Sequence, residues 1–288
     1  MTSSTVNYVA PHNDVLASVA SIGLKELRAC LVPVSLVRRQ VLVELGQPVD
    51  HVYFIERGVV SVLVKARSGE EGVQVAMIGR EGMVGDLASG AARQLACVRI
   101  VVHIPGTALR VVTGDLHRAI ESSPALYEAC KRSIRSVMEQ VMQTASCNTR
   151  LSLLERLARW LVMTHDRVDD GDVPVTHEAL SVMLGIGRPS ITVAAAALQQ
   201  AGLIRVGRGH VTILDRAGLA KVAQGVPPLP SVASPQDDHC IMQHDGWASM
   251  AAAVASHEPH LAPVVHPLAL GQNASPYNQY ALNTVGVQ

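Results

Sequence analysis

Aromatic residues are scarce in this sequence: they make up 3% of its 288 residues, and phenylalanine occurs once. Aliphatic side chains must therefore fill its cores, because hydrophobic residues as a whole still reach 48%. Neither sign of charge dominates, since 24 Lys and Arg balance 24 Asp and Glu. The net charge thus indicates neither a nucleic acid nor a membrane as partner, although a local basic face is compatible with it.

Cysteine is also sparse, and the sequence has no long apolar run. Its five cysteines are widely spaced and fit neither a disulfide framework nor a zinc or iron–sulfur spacing. No uncharged segment approaches the ~20 apolar residues of a membrane span. The first basic residue is Lys25, so no charged segment precedes an apolar stretch as in a secretory signal. We therefore predict a reduced, cytoplasmic protein of about two domains that binds no membrane.

Residues 34–116 carry short β-branched runs that are broken by glycine. Among these runs are QVLVELG, HVYFIERG, VVSVLVKA and RIVVHIPG. Such spacing of strands and turns predicts a compact antiparallel barrel or sandwich. Helical periodicity follows it, so the fold class is α+β. Residues 1–14 and 225–288 lack firm periodicity and are predicted to be disordered tails.

A long helix is predicted after Ser123 and Pro124, which form a cap followed by a proline in the first turn. Apolar residues then recur at spacings of four, four, three, four and four: Leu126, Cys130, Ile134, Val137, Val141 and Ala145. A seam of this kind is typical of a helix that pairs with a copy of itself. The alternative is that the seam packs only on the chain's own barrel.

A helix-turn-helix is predicted further along the chain. Thr176 precedes HEALSVML as a helix cap, and Gly185 supplies the turn geometry at its end. A second helix starts at about residues 187–189, and Ser181 is small where the two helices must approach closely. This order of cap, helix, glycine turn and helix is the sequence pattern of a helix-turn-helix.

The second helix of this motif has the features of a DNA-reading helix. No acid occurs in residues 181–214, and Arg188 and Pro189 stand at the helix entrance. Arginine there can donate two hydrogen bonds to guanine, whereas a carboxylate would be repelled by the phosphates. Ser190 and Thr192 are expected to reach a phosphate or a base, and Pro189 and Thr176 are also predicted to lie at the DNA.

A basic hairpin is predicted at residues 203–214, with a Gly-Arg-Gly tip. It would form a wing beside the helix-turn-helix that places Arg205, Arg208 and His210 near the DNA phosphates. The alternative is that these side chains are solvated charges with no ligand. Helix, turn, helix and basic wing in succession favour DNA binding over that alternative.

Three segments in this order resemble the Crp-Fnr family, the group of the cyclic-AMP receptor protein. They are GQPVDHVYFIERGVVSVLV with MIGREGMVGDL, the helix at 124–147, and THEALSVMLGIGRPSITVAAAALQQAGLI. The resemblance covers roughly residues 15–220. It implies the following domains: a cyclic-nucleotide-binding-like β-roll sensor (15–122), a dimerisation helix (123–148) and a winged helix-turn-helix (149–224).

The resemblance further implies a transcriptional regulator that binds double-stranded DNA as a homodimer on a palindromic operator. It adds RNA polymerase and a small-molecule effector as candidate partners. An enzyme is not expected, because the sequence shows no nucleophile with its base and no P-loop. The competing hypothesis is a ligand-sensing or protein-interaction module whose helix-turn-helix does not read DNA.

The sensor segment departs from the family's cyclic-nucleotide cassette. Relatives have Gly-Glu-Leu and then, about ten residues later, an arginine followed by a hydroxyl residue. The corresponding residues here are Gly85, Asp86, Leu87, Arg93 and Gln94. The acid is one carbon shorter, the loop is tighter and no hydroxyl follows the arginine. These five residues are the candidate ligand pocket, although we do not expect a standard cyclic-AMP site there. The alternative is that Asp86 and Arg93 form a structural ion pair or are solvated loop charges.

Two further departures from relatives concern base reading and metal binding. Pro189 stands where nucleotide-responsive relatives often carry a glutamate that reads cytosine, and the cysteine cluster of oxygen-sensing relatives is absent. The tail residues His239, Cys240 and His244 could ligate a soft metal. A disordered tail that happens to contain them is the favoured interpretation, so no metal or cofactor is expected.

Overall fold

The computed structural model describes residues 11–64, 72–85, 95–168 and 171–223. Two short helices come first, α1 at Asp14–Ala17 and α2 at Lys25–Cys30, with a 3-10 turn at Ser21–Leu24 between them. Asn13, predicted to lie in a loose tail, is instead fully buried. Its amide donates to the carbonyls of Ile55 and Gly82 at 2.8 Å. The prediction of disorder up to residue 14 was therefore wrong at its end, because these hydrogen bonds fix the chain to the sheet.

Six antiparallel strands form the predicted β-roll in the part of the chain that the structure describes. Their bounds are β1 Val32–Leu36, β2 Val41–Val43, β3 His51–Val64, β4 Val73–Ile78, β5 Met83–Val84 and β6 Arg99–Val112. The main path runs β1-β6-β3-β4, with β2 paired to β6 and β5 paired to β3. The two 14-residue strands β3 and β6 pair along most of their length and shift register near their centres. Such shifts bend the strands, which lets one sheet curve around a hydrophobic interior.

Glycine permits the close approach of the two long strands at their register shifts. A side-chain carbon on Gly106 would lie 2.0 Å from the carbonyl oxygen of Arg57. Gly58 has φ +88° and faces the carbonyl oxygen of Ile104 in the same way. Both glycines end runs in which the sequence showed strands followed by turns, and the structure continues the strands through them.

The helices α3 (Thr113–Ser122) and α4 (Pro124–Arg150) follow the sheet. Ser123 caps α4, and its hydroxyl accepts a hydrogen bond from the Leu126 N–H, as the sequence indicated. Leu126 and Cys130 are completely buried in a core shared with the helices before the sheet. Burial raises the pKa of the Cys130 thiol to about 12. These two residues cannot line a face for a second copy, so that part of the predicted dimer seam was wrong.

The rest of the predicted seam has a mixed environment. Val137 and Val141 are half-buried against the sheet core, Ile134 is about one-third exposed, and Ala145 is exposed. The most exposed apolar side chains of α4 lie one position further on, at Met138 and Met142, where 53% and 63% of the residue surface is open. The apolar face that α4 leaves uncovered is thus rotated relative to the predicted one.

A winged helix-turn-helix completes the described chain, as predicted. Its elements are α5 Leu153–His165, β7 Asp172–Val173, α6 His177–Leu184, α7 Arg188–Gln200, β8 Ile204–Val206, β9 Val211–Ile213 and α8 Arg216–Val222. Its core is aliphatic around Trp160, and it also includes Met77 of β4 and Ile104 of β6. The β-roll and the helix-turn-helix therefore share buried contacts.

Within the described residues, no single helix is long and apolar enough to cross a membrane. Among the described helices, the pair α6 and α7 taken together reaches the required length and hydropathy, but the two are bent by 111°.

Candidate nucleic-acid interface

The turn between α6 and α7 is built from local hydrogen bonds. The Thr176 hydroxyl accepts from the Ala179 N–H at 3.2 Å and caps α6, as predicted. Gly185 ends the helix in the left-handed region at φ +63°, where glycine carries no side-chain strain. Ser181 then donates to the carbonyl of Ile186 at 2.7 Å. This bond fixes the turn and, with it, the angle at which α7 leaves α6.

One face of α7 is buried and the opposite face is open. The buried side chains are Ile191, Ala194, Ala195 and Leu198. The open face begins at Arg188, Pro189 and Ser190, all exposed, and the proline lies in the first turn, where its missing N–H breaks no helical bond. The exposed first turn is the part of a recognition helix that meets base edges.

Val193 is an exposed large apolar residue of α7 that the sequence reasoning did not identify. It is 71% exposed and lies one turn after Pro189, on the same face. A solvated valine has no packing role, but its methyl groups suit contact with a thymine methyl in the major groove. The sequence signal for this residue was its spacing of four from Pro189, which places both on one face of the helix. The alanine run 194–197 directly after it drew attention to packing instead.

Glu178 is an acid beside the exposed first turn of α7, and the sequence reasoning did not identify it. Its carboxylate lies 3.8 Å from the Arg188 guanidinium, and both side chains are 67% exposed. Exposed pairs at this distance contribute little free energy. Arg188 can therefore exchange this partner for a DNA base at little cost in free energy.

Thr192 is engaged within the motif. Its hydroxyl donates to the carbonyl of Arg188 at 3.1 Å and lies 3.1 Å from Nδ1 of His177. The Thr192 hydroxyl therefore contacts both its own helix and α6, and its role toward Nδ1 depends on the His177 tautomer. The predicted reading residues thus divide: Arg188 and Ser190 are open, whereas Thr192 joins the two helices.

The wing forms as a hairpin of β8 and β9, to which β7 adds a third strand. Arg205 and Arg208 are exposed, and His210 is half-buried. The tip closes through a hydrogen bond from the Gly207 N–H to the His210 carbonyl at 2.9 Å. Gln199 of α7 accepts from the Val206 N–H at 2.8 Å, so wing and recognition helix are tied together. Three arginines from these two elements remain exposed.

The predicted ligand pocket lies only partly within the described residues. Gly85 is described, whereas Asp86, Leu87, Arg93 and Gln94 lie outside the described ranges. A cavity of about 210 Å³ adjoins Gly85. Its described lining is Val43, Val49, Gly85, Leu95, Ala96, Cys97, Val98 and Ile100. The described lining is thus mainly aliphatic.

The tail residues His239, Cys240 and His244 also fall outside the described ranges. Among the residues that the structure does describe, no three His, Cys, Asp or Glu side chains come together as metal ligands.

Two family models match the chain. The model of the cyclic nucleotide-binding domain matches residues 33–123, and that of the Crp-like helix-turn-helix domain matches residues 155–222. No curated protein matches the sequence. The two matched regions correspond to the β-roll and to the winged helix-turn-helix described above.

Solved structures of bacterial regulators share the fold. FixK2 from Bradyrhizobium japonicum is 15% identical with a TM-score of 0.58, over 68% of this chain and 99% of FixK2. The c-di-GMP-responsive global regulator CLP from Xanthomonas campestris is 15% identical with a TM-score of 0.56, over 67% of this chain and 99% of CLP. A CRP-family transcriptional regulator from Thermus thermophilus is 20% identical with a TM-score of 0.54, over 69% of this chain and 99% of that regulator.

Proposed function

Because this chain belongs to the Crp-Fnr family of transcriptional regulators, we propose that it acts as a cytoplasmic, homodimeric transcription factor that reads a palindromic operator through α7. The observation that carries this proposal is the open first turn of α7, with Arg188 67% exposed and the basic wing beside it. No acid lies in the chain from the middle of α6 to the end of the wing hairpin. This surface suits a polyanion.

Each exposed residue of the surface has a role in this proposal. Arg188 donates two hydrogen bonds to a guanine, and Val193 contacts a thymine methyl one turn further along the groove. Ser190 donates to a phosphate or a base edge. Arg205, Arg208 and His210 meet phosphates, where they add affinity but carry no sequence information. Thr176 and Thr192 hold the geometry of the motif from which these contacts are made.

The second copy of the chain is proposed to cover the exposed apolar face of α4. This face carries Tyr127, Ile134, Met138, Met142 and Ala145. The intervals of seven, four, four and three residues keep them on one side of a helix that pairs with its symmetry mate. A two-fold axis along α4 would place two copies of α7 about one helical turn of DNA, ~34 Å, apart.

The sensor is proposed to respond to something other than a standard cyclic-AMP contact set. The shorter acid Asp86 and the missing hydroxyl after Arg93 support this, as does the mainly aliphatic described lining of the neighbouring cavity. Calorimetric titration of the full-length protein with cyclic AMP should give no saturable heat. Saturable micromolar binding would instead make cyclic AMP the signal. RNA polymerase is the proposed downstream partner.

Selection from randomised double-stranded DNA tests the function. The full-length protein should enrich palindromes with half-sites one helical turn apart, and sedimentation should show a dimer. Met138→Glu should lower dimer content and operator affinity together, because it places a charge in the apolar face. Glu139→Gln, exposed on the same helix outside that face, is the matched control. A dimer without any enriched sequence would favour the protein-interaction hypothesis.

A further inference from the structure

The sensor sheet and the DNA-binding helices meet at an interface rich in polar contacts. The Trp160 indole N–H donates to the Gln74 side chain at 2.8 Å, and Arg167 pairs with Glu81 at 2.7 Å. Arg167 also donates to the carbonyl of Met163 at 2.8 Å. Its charge is therefore both neutralised and hydrogen-bonded, as a buried cation requires.

Arg159 lies at the same interface without such neutralisation. It is 6% exposed, and its hydrogen bond within the described residues joins Nη2 to the Gln143 side-chain oxygen at 3.3 Å. No carboxylate of the described part of the chain lies within 4.0 Å of its guanidinium. A neutral amide satisfies one of five N–H donors and none of the charge.

Arg156, one turn earlier on α5, is a second cation of this region and is half-buried. Its Nη2 donates to the carbonyl of Leu184 at 2.7 Å, while its Nε is buried and has no acceptor among the described residues. Desolvation lowers the pKa of this guanidinium, and the group nearby that opposes the shift is the thiol of Cys147. Two guanidiniums thus stand in one region with hydrogen bonds to neutral groups, and with no described carboxylate in salt-bridge distance.

Both arginines line a cavity of about 50 Å³ between β4, α4, α5 and α6. Its polar walls include Gln140, Thr144 and Asn148, and its apolar walls include Trp160 and Met163. About 10–15 Å³ of such space holds one water, so the cavity has room for a group of a few heavy atoms. Water could satisfy the free N–H groups, but only an anion would neutralise the two charges.

We propose that this cavity binds a small oxoanion, the phosphate or carboxylate group of an effector, between the guanidiniums of Arg156 and Arg159. A guanidinium fork matches both groups, because its parallel N–H donors meet two oxygens at once. The apolar walls would contact the uncharged part of the effector. The site is distinct from the cavity beside Gly85, since the two share no lining residue among those described.

The site would connect effector binding to DNA reading. Arg156 holds the carbonyl of Leu184, the last residue of α6, directly before the turn that sets the angle of α7. An anion that binds Arg156 would therefore act on the turn before α7. Because residues of β4 line the same cavity, the site also contacts the β-roll. The coupling to DNA rests on the proposed function; the binding of the anion does not.

Thermal unfolding of the full-length protein tests the site without DNA. Sodium phosphate and sodium acetate, each against sodium chloride of equal ionic strength, serve as probes. One of them should raise the melting temperature of the wild type saturably, which identifies the anion class. Arg159→Met should lose that rise while melting no lower than the wild type without anion, because the uncompensated charge is gone. Arg135→Met, exposed on α4, is the control and should keep the full rise.

Two results would overturn the site: neither anion exceeds sodium chloride, or Arg159→Met responds like the wild type. If Arg159→Met fails to fold, Arg156→Lys replaces it, because it keeps the charge but removes the fork, and it should weaken the response at least several-fold. The coupling is read separately as a several-fold change in operator affinity on adding the effective anion, absent in Arg159→Met. Loss of all specific DNA binding would refute the proposed function and leave the thermal result standing.

Discussion

Two sets of arginines in the winged helix-turn-helix differ in burial and partners. Arg188, Arg205 and Arg208 are exposed on the helix and wing, and the nearest described acid, Glu178, is 3.8 Å from Arg188. Arg159 and Arg167 are more than nine-tenths buried; Arg159 bonds to Gln143 of α4, and Arg167 pairs with Glu81 just after β4. The exposed arginines are thus available to a polyanion, whereas Arg167 joins the helix-turn-helix to the β-roll through Glu81.

The largest effect should come from breaking the buried pair. Arg167→Ala should lower the free energy of unfolding by ~3–5 kcal/mol, because it leaves the Glu81 carboxylate buried and uncompensated. Urea denaturation of the full-length protein measures this loss. Arg216→Ala removes the bidentate but more exposed pair with Asp166 and is the matched control, with an expected loss of about 1 kcal/mol or less. Equal losses of unfolding free energy for the two variants would show that burial does not make the Arg167 pair more important than the exposed pair.

The free energy of unfolding should depend on pH because His103 is buried. His103 is buried edge-on to Trp160, and burial together with the charge of Arg38 lowers its pKa from 6.5 to about 4. The unfolded chain therefore binds a proton that the folded chain does not bind, and stability falls as pH decreases from about 6.5 to 4. The full difference amounts to ~3 kcal/mol.

Denaturation midpoints across this pH window test the His103 prediction. His103→Phe keeps a ring beside Trp160 and should flatten the curve between these pH values. His51→Phe, a half-buried histidine of β3 that also lies beside an aromatic ring, Tyr53, is the control. An unchanged pH dependence in His103→Phe would show that other groups set it.

The smallest effect is expected for substitutions of the exposed wing arginines. Arg205→Gln and Arg208→Gln should each reduce the slope of log affinity against log salt by about 1, with operator preference unchanged. Fluorescence anisotropy at several salt concentrations measures the slope. An altered base preference would mean that the wing reads sequence and does not only contact phosphates.

Local signals in the sequence predicted the DNA-binding half well. The Thr176 cap, the Gly185 turn and Pro189 in the first turn of α7 each act within a few residues, so their geometry follows from residue type. The winged hairpin was predictable for the same reason. The pair Arg167–Glu81 joins residues 86 apart in the chain, and no local pattern connects them.

The helix α4 shows where periodicity fails. Spacings of three and four residues fit two adjacent faces of a helix equally well, and the predicted seam began on the face that the chain covers itself. Leu126 and Cys130 lie there because α1, α2 and α3 pack on that side. Only the tertiary arrangement distinguishes this face from the neighbouring one, where Met138 and Met142 remain exposed.

The most direct test of the account is the base preference of Arg188→Ala. Its specific affinity for the selected operator should fall by ~1–3 kcal/mol, and discrimination should relax at one base pair of each half-site while the other positions keep theirs. Competition binding against operators substituted at each position measures both quantities. Unchanged preference at every position would contradict the claim that α7 reads DNA through this arginine.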